Sequence, residues 1–384
     1  MYITKLRVKN YRNFSEEEIV FDPDINIIYG NNAEGKTNLL EAIFLCATSK
    51  SHKNSKDVEI INFNNKESHI KVFFYNETNK NKEQTIDIQL NSDIKKGIAL
   101  NGIKIDKLSD FLGTLNAIIF APEDLNIIKE GPAIRRKFID MELCQIDKVY
   151  VSKITNYNKV LNQRNAILKD ILSATGNNKS ELINFLDTYD DQLIGFGLEV
   201  IIKRKKNIKE LSEKIKDIYY KISGEKEELI IDYENVFFNN CVDELCDPEK
   251  IKKKYKEKLE ETKEQDIKNG FTSIGPQRDD ISFIVENNDL RKFGSQGQKK
   301  AAAISLKLSE LLITKEKKGD TPILLLDDVF SELDEERQKR LIENINGIQT
   351  IITCTGMKRN IFDLLKPNKV FQVINNKVIE KWKV

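Results

Sequence analysis

Residues 30–37 read GNNAEGKT and fit the pattern G-x-x-x-x-G-K-[ST], which describes a loop that wraps a nucleotide phosphate. An apolar strand, INIIYG at 25–30, runs into the loop, and residues 38–47 follow with apolar side chains at helical spacing. A strand, then the loop, then a helix is the context that a phosphate loop requires. The predicted nucleotide-binding residues of this segment are Gly30, Asn31, Asn32, Ala33, Glu34, Gly35, Lys36, Thr37 and Asn38.

Individual groups of the loop have distinct tasks in this interpretation. The backbone amides of residues 31–36 would surround a β-phosphate, helped by the positive end of the following helix. Lys36 would bring a positive charge to the β and γ oxygens and is a candidate catalytic residue, and Thr37 would offer its hydroxyl to Mg²⁺. The same string can also arise by chance as a glycine turn before a helix, so it needs support from the rest of the sequence.

A second segment, PILLLDD at 322–328, provides such support. A continuous apolar run that ends in aspartates predicts a buried parallel strand with carboxylates at its carboxyl end. Asp327 is therefore predicted to bind Mg²⁺ directly or through water. Asp328 is the candidate catalytic residue that would orient or activate the attacking water.

A third segment, FGSQGQ at 293–298, lies directly before an amphipathic helix predicted over residues 297–313. A serine and free amides at a helix N-terminus form an anion site. Because the phosphate loop already has its own donors, we expect this second site to cap the γ-phosphate of a nucleotide bound to another copy of the chain. The alternative is an ordinary helix cap. The residues predicted for this half of the site are Ser295, Gln296, Gly297 and Gln298, with Asp334 of SELD (331–334) near the same dimer interface.

Composition limits the other classes of function. The chain has only two histidines, and its five cysteines form no C-x-x-C pair, so a catalytic triad, structural zinc or a disulfide framework is not expected. Cys241 and Cys246, the cysteines nearest to each other, are a weak candidate for a metal or redox site. No apolar run has the length of a membrane span, and the N-terminus lacks a signal-peptide pattern, so we expect a cytoplasmic protein with no membrane contact.

The formal net charge is +1, so any nucleic acid would have to be bound by local basic patches. The candidate patches are residues 135–137, 203–206 and 252–254. Each is expected more often to be a solvated helix face than a phosphate contact.

The pattern along the chain predicts three regions. Residues 1–125 alternate like strands and carry the phosphate loop, with further strands at 69–75, 84–90 and 116–120. Residues 126–269 are mostly helical and highly charged, and form a helical lobe. Residues 270–384 return to an α/β pattern with the serine motif and the aspartate strand, and end in a hairpin at Asn375-Asn376.

The chain resembles the heads of SMC and ABC-type ATPases. The likeness lies in the order of four features: the phosphate loop, the late serine motif, the aspartate strand and SELD. More closely, the chain resembles the RecF family of bacterial recombinational repair. The segments that carry this likeness are LRVKNYRNF (6–14), GNNAEGKTNLLEAI (30–43), FAPEDL (120–125), GPAIRRKFID (131–140), YNKVLNQRNAIL (157–168), GPQRDD (275–280), FGSQGQKK (293–300) and DDVFSELD (327–334).

The resemblance implies an α/β fold: an ABC-type P-loop ATPase head, with a mixed sheet core and an antiparallel β-subdomain, plus an inserted helical lobe. It implies ATP and Mg²⁺ as cofactors and a weak, DNA-stimulated ATPase in DNA replication, recombination, repair and the SOS response. ATP would drive head-to-head homodimerisation, and the dimer would clamp DNA at single-strand gap boundaries. There it would help the mediators RecR and RecO to load the recombinase, and hydrolysis would release the clamp.

The chain departs from the wider superfamily in three places. The histidine of ABC transporters is replaced by TCTGMK, which offers Thr353 and Thr355, and Glu123 stands where a glutamine is usual. The family pattern GPHR reads GPQR at 275–278. Because a hydroxyl is a weak base, we expect slow turnover.

The sequence leaves rival functions to be weighed. A transporter subunit fits the serine motif less well, and the spacing is too short for a long-armed chromosome protein. An ATPase fused to a nuclease would need a further acidic domain. A DNA-binding module in which ATP is mainly a conformational ligand remains the alternative function.

Overall fold

The structure is a computed structural model that describes residues 1–53, 55–77, 82–224, 226–237, 247–356 and 359–383. The chain divides into two compact units. Unit 1 comprises Met1–Asn126, Lys214–Glu228 and Ser295–Val384, and unit 2 comprises Ile127–Glu213 and Leu229–Gly294. The domain boundaries predicted from sequence stay a prediction, and the two units differ from them at residues 214–228 and 270–294.

The strands, in chain order, are β1 (Tyr2–Tyr11), β2 (Phe14–Val20), β3 (Ile25–Tyr29), β4 (Glu67–Tyr75), β5 (Gln84–Asn91), β6 (Gly97–Leu100), β7 (Ile103–Lys104), β8 (Ala117–Phe120), β9 (Leu229–Glu234), β10 (Asp280–Val285), β11 (Asn288–Asp289), β12 (Ile323–Asp327), β13 (Thr350–Cys354), β14 (Lys369–Ile374) and β15 (Lys377–Lys383). The helices are α1 (Lys36–Thr48), α2 (Asp57–Ile60), α3 (Leu108–Phe111), α4 (Leu125–Lys129), α5 (Pro132–Ile146), α6 (Lys148–Ser173), α7 (Gly176–Ile222), α8 (Pro248–Asn269), α9 (Leu290–Phe293), α10 (Gln296–Lys318), α11 (Glu335–Asn344) and α12 (Arg359–Leu365).

Unit 1 contains two sheets. The first is antiparallel, with the strand order β2-β1-β4-β5-β6-β7. Its strands alternate in burial, with Leu6 and Val8 buried and Arg7 and Lys9 exposed, because one face packs on the core and the other meets water. This sheet is the antiparallel β-subdomain that the sequence predicted.

The second sheet of unit 1 has the order β15-β14-β3-β13-β12-β8, and it is parallel except for the edge strand β15. Every residue of β12 and β13 is buried, so these strands read as continuous apolar runs rather than as alternating ones. The predicted strands at 25–30, 116–120 and 322–328 are thereby confirmed as members of one sheet.

Unit 2 is built from long helices and a small antiparallel sheet of β11, β10 and β9. The predicted helical character is confirmed for α5, α6, α7 and α8, whereas β9 is a strand that the charged sequence around it did not suggest. Helix α7 begins in unit 2, and its last residues belong to unit 1.

Each of two predicted basic patches contains one arginine that is buried inside unit 2. Arg135 is buried and forms a two-pronged pair with Asp280, through Nε–Oδ1 at 2.6 Å and Nη2–Oδ2 at 2.8 Å. Arg204 is buried as well, and its Nε and Nη2 each lie 2.9 Å from the Asp140 carboxylate. The expectation of a solvated helix face is therefore wrong for these two arginines, because each is buried and pairs with a partly buried carboxylate.

None of the helices that the structure describes has both the length and the apolar character that a bilayer span needs.

Candidate nucleotide site

The phosphate loop lies at the carboxyl edge of the parallel sheet. Strand β3 leads into residues 30–35, α1 begins at Lys36, and β13 and β12 end beside β3 with Cys354 and Asp327. In open parallel sheets, ligands bind outside the carboxyl ends of the strands. The two predicted halves of this chain's own phosphate and metal site therefore meet at one edge.

The side chain of Lys36 fastens the two ends of the loop to each other. Its Nζ donates to the backbone oxygens of Gly30 and Asn31, both at 2.8 Å. The Glu34 carboxylate accepts from the Asn31 backbone amide at 3.2 Å. The loop is thus held in a curled conformation by its own side chains, with the Lys36 ammonium group on its inner side.

Asn13, in the turn between β1 and β2, contacts the phosphate loop from outside. It was not among the predicted site residues, because it belongs to no nucleotide-binding motif. Its Nδ2 donates to the Glu34 backbone oxygen at 2.9 Å, and its Oδ1 accepts from Asn38 Nδ2 at 2.9 Å. Gly35 has φ 102°, and a Cβ there would lie 2.5 Å from Asn13 Nδ2, so no side chain fits. Asn13 Nδ2 also donates to Asn376 Oδ1 of the C-terminal hairpin at 2.6 Å.

The predicted metal ligands lie side by side. Thr37 Oγ1 donates to Asp327 Oδ1 at 2.8 Å, although the two residues are far apart in sequence. Thr353 Oγ1 donates to the same carboxylate oxygen at 2.6 Å, so β13 orients the aspartate of β12. A hydroxyl and a carboxylate at this spacing suit Mg²⁺, which binds oxygen and takes one or two carboxylates with phosphates and water.

Asp328 follows directly and has a left-handed backbone, with φ 51°. Its amide donates to the Thr353 backbone oxygen at 3.1 Å. A non-glycine residue in this region is strained and is held there by its surroundings, which is common at functional sites. The sharp turn takes the chain out of the sheet directly after Asp327, the predicted metal ligand.

A cavity of about 250 Å³ opens at this edge of the sheet. It is lined by Asn32, Ala33, Gly35, Lys36, Thr37, Asn38, Lys53, Asp327 and Asp328. Most of these residues were predicted, and Lys53 was not. Lys53 follows α1 in a segment without a motif, so only the fold shows that a second ammonium group borders the cavity.

The late serine motif caps α10 in unit 1. Ser295 Oγ accepts from the Gln298 amide at 3.1 Å, and Gln298 Oε1 accepts from the Ser295 amide at 2.8 Å. This reciprocal pair is a capping box, so the helix-cap alternative is realised in the single chain. The motif residues are absent from the part of the cavity lining that the structure describes.

Asp334 lies close to the same helix end. It caps α11 by accepting from the Arg337 amide at 2.9 Å, and its carboxylate pairs with the Arg337 guanidinium. A Cβ on Gly297 would lie 3.4 Å from Arg337 Nη2, so the serine motif and the Asp334–Arg337 pair are neighbours. The residues predicted for the second half of the site therefore lie close to one another, and none of them belongs to the described lining of the cavity.

The remaining predicted residues fall in different places. Thr353 is buried with its hydroxyl on Asp327, whereas Thr355 and Glu123 are exposed. Cys241 and Cys246 lie outside the described residues.

The chain matches the family model described as RecF/RecN/SMC N terminal domain over residues 2–379. It is 45% identical over 378 residues to the DNA replication and repair protein RecF of Agathobacter rectalis, covering 98% of this chain and 99% of the relative. RecF of Clostridium tetani is 41% identical over 381 residues, which cover 99% of this chain and 100% of the relative.

Solved structures show the same likeness. The recombination mediator protein RecF with ATP, of the RecFOR pathway, superposes with a TM-score of 0.91 at 33% identity, over 99% of this chain and 98% of that chain. An Smc head bound to the C-winged helix domain of ScpA gives a TM-score of 0.57 at 16% identity, over 99% and 98% of the two chains, which supports the fold alone. The predicted fold class, an ABC-type P-loop ATPase head with a helical lobe, is confirmed.

Proposed function

The chain belongs to the RecF family of SMC and ABC-type ATPases, and from this premise we propose that it is an ATP-switched DNA-binding protein of replication and recombinational repair. The observation that carries the proposal is the division of the site. The phosphate loop and the Thr37–Asp327 pair border the cavity, whereas the residues of the serine motif are absent from its described lining and cap α10 instead. A bound nucleotide would be completed only by the serine motif of a second copy.

Each group of the cavity has a task in this proposal. The loop amides and Lys36 would bind the phosphates, and Thr37 and Asp327 would hold Mg²⁺, which would supply positive charge to neutralise them. Asp328 would orient the attacking water and accept its proton. Lys53 borders the cavity and would add a second positive charge there.

The capping box has a consequence for the second copy. Ser295 and Gln298 use their mutual hydrogen bonds to hold the first turn of α10 in place. The first-turn amides of a helix have no intrahelical partners, so they face outward as donors. The end of α10 is thereby preorganised to receive a γ-phosphate, and it needs no rearrangement before it does so.

ATP then acts as a dimerisation switch. A nucleotide that is fully bound only by two copies stabilises the dimer over the monomer, and loss of the γ-phosphate reverses this. We propose that the closed homodimer clamps DNA at single-strand gap boundaries in the cytoplasm and there assists RecR and RecO in recombinase loading. Since threonines, Thr353 in β13 and Thr355 directly after it, stand where a histidine would act as a base, hydrolysis is slow and times the release of DNA.

Sedimentation of two variants tests the shared site. Lys36→Ala is expected to lose ATP binding and, with it, the ATP-dependent dimer. Ser295→Arg is expected to keep ATP binding, because Ser295 does not border the cavity, and yet to remain monomeric. Ser173→Arg, an equal change at an exposed serine of α6, is the control and should dimerise like the wild type. A Ser295→Arg protein that dimerises with ATP would refute the shared site.

A further inference from the structure

One end of the antiparallel sheet carries exposed apolar side chains, which is uncommon on a surface as charged as this one. Phe63 is fully exposed, at 104% of its reference area, and Ile94 is 68% exposed. Both lie on loops at the same end of the sheet, because Glu67 of β4 pairs with Asn91 of β5 and the Ser92 amide donates to the Lys66 oxygen at 2.9 Å. We call residues 50–67 and 92–96, excluding Lys53 and Asn54, the Phe63 surface.

The turn that presents Phe63 is rigid. The Asn62 amide donates to the Asn10 oxygen at 2.9 Å, and Asn62 Nδ2 donates to the Arg12 oxygen at 2.8 Å. The Asn65 amide closes the turn by donating to the Asn62 oxygen at 2.9 Å. A ring held in this way can bind a partner without losing loop entropy on binding.

Exposed lysines lie on the same segments as this ring. They are Lys50, Lys56, Lys66 and Lys95, and none of the four forms an ion pair in the described part of the chain. Lys96, by contrast, is engaged with Asp57 at 3.2 Å and with the Ser49 oxygen at 2.6 Å. The exposed carboxylates of the same surface are Glu59, Glu67 and Asp93, so positive charge is in excess. The surface is complementary to an anionic partner.

The Phe63 surface is also connected to the phosphate loop. Asn62 is bonded to Arg12, whose own amide donates to the Ile60 oxygen at 2.7 Å. The next residue, Asn13, holds the Glu34 oxygen of the phosphate loop at 2.9 Å. A contact at Phe63 therefore reaches the nucleotide cavity through a short series of hydrogen bonds.

We propose that the Phe63 surface binds DNA where duplex gives way to unpaired bases, with the Phe63 ring stacked on an unpaired base and the lysines on flanking phosphates. A protruding ring among lysines is the arrangement that single-stranded nucleic acid requires, since every base offers a π-face and every nucleotide a charge. A protein partner would leave the four lysines without equivalent counter-charges unless its own surface were acidic. This inference rests on the proposed function, and it assigns the residues that contact DNA.

Fluorescence anisotropy with labelled gapped DNA and with fully paired duplex of equal length tests the assignment. Phe63→Ala is expected to weaken binding to gapped DNA by about fivefold or more, the loss of one base stack, and to leave duplex binding nearly unchanged. Phe63→Trp should retain the affinity for gapped DNA. Because Phe63 is fully exposed, its removal should leave folding and ATP binding intact. Phe185→Ala, a second exposed phenylalanine on α7, is the matched control and should bind both DNAs like the wild type.

The lysines have a different readout. Lys56→Gln with Lys66→Gln should weaken binding to both DNAs and lower the slope of log affinity against log salt by about one for each DNA phosphate that the variant no longer binds.

DNA-stimulated phosphate release should fall in Phe63→Ala, while release without DNA stays at the wild-type rate.

The outcomes separate this inference from the proposed function. If the wild type binds gapped DNA and Phe63→Ala binds it equally well, the inference is wrong and the proposed function stands. Unchanged DNA affinity together with abolished binding to RecR or RecO would assign the surface to a protein and also overturn the inference. A wild type that binds neither DNA would refute both.

Discussion

Replacing Asn13 by alanine removes every hydrogen bond that its amide makes with the phosphate loop and the C-terminal hairpin. These bonds join Asn13 to the Glu34 oxygen at 2.9 Å, to Asn38 Nδ2 at 2.9 Å and to Asn376 Oδ1 at 2.6 Å. At partly exposed positions each bond contributes about 0.5 kcal/mol, the lower end of the usual range, or about 1.5 kcal/mol in all. Since about 1.4 kcal/mol is a factor of ten, we expect nucleotide affinity to fall about tenfold.

The effect should appear in nucleotide binding more than in the stability of the fold. Without Asn13 the loop can leave the conformation that the phosphates require, and binding must restore that conformation. Isothermal titration with ADP measures this in a single chain, because under the proposed function only the γ-phosphate engages a second copy. Asn376→Ala removes one bond of the three and should weaken ADP binding only about twofold.

Thermal unfolding supplies the control measurement for both variants. A clear fall in melting temperature with unchanged ADP affinity would mean that Asn13 merely stabilises the β1–β2 turn. That result would refute the positioning role. Equal decreases of affinity in Asn13→Ala and Asn376→Ala would also contradict it, since the hydrogen bonds to Glu34 and Asn38 would then contribute nothing.

Two further predictions concern catalysis and pH. Asp328→Asn is expected to lower DNA-stimulated phosphate release at least about tenfold with ATP-dependent dimerisation retained, and unchanged turnover would favour the view that ATP is mainly a conformational ligand. Burial raises the pKa of Asp279 to about 6, although the neighbouring Arg204 acts in the opposite direction. Aspartates of the unfolded chain titrate near pH ~3.9, so the folded chain holds this proton more tightly. Its contribution to the free energy of unfolding is therefore most favourable below pH ~4 and declines as the pH rises through about 6. Urea unfolding at pH ~4.5 and at pH ~7 should show this decline in the wild type and a smaller one in Asp279→Asn; equal declines would count against it.

Many residues of the candidate nucleotide site could be predicted because each motif depends on a short, continuous stretch of the sequence. Residues 30–37 need glycine at position 35, where φ is 102°, and a lysine that closes the loop, and both requirements are local. Strand β12 could be predicted in the same way. A fully buried parallel strand is apolar along its length, and a polar residue, here Asp327, marks its end at the site. Thr37 and Asp327 meet because the strands that carry the two motifs, β3 and β12, are parallel members of one sheet and end at the same edge.

The burial of residues in the basic runs could not be predicted, because a charge pattern does not show which partner each side chain has. Arg135 and Arg204 look like the surface residues beside them in sequence, yet each is buried against a carboxylate from a distant segment. Strand β9 was missed for a related reason: it is a short strand among charged helices, and its pairing with β10 is a long-range contact.

The sequence by itself determined the phosphate loop, the aspartate strand and the class of fold, because each depends on residues that are neighbours along the chain. The helix cap at Ser295 was only the alternative interpretation of its segment, and the structure realises it. Only the tertiary structure decided that Asn13, Lys53 and Asn376 border or brace the nucleotide cavity. These residues carry no motif, and they reach the loop because sheet pairing brings the β1–β2 turn, the end of α1 and the C-terminal hairpin to one edge. Proximity of this kind arises from packing between distant segments, which local sequence patterns do not encode.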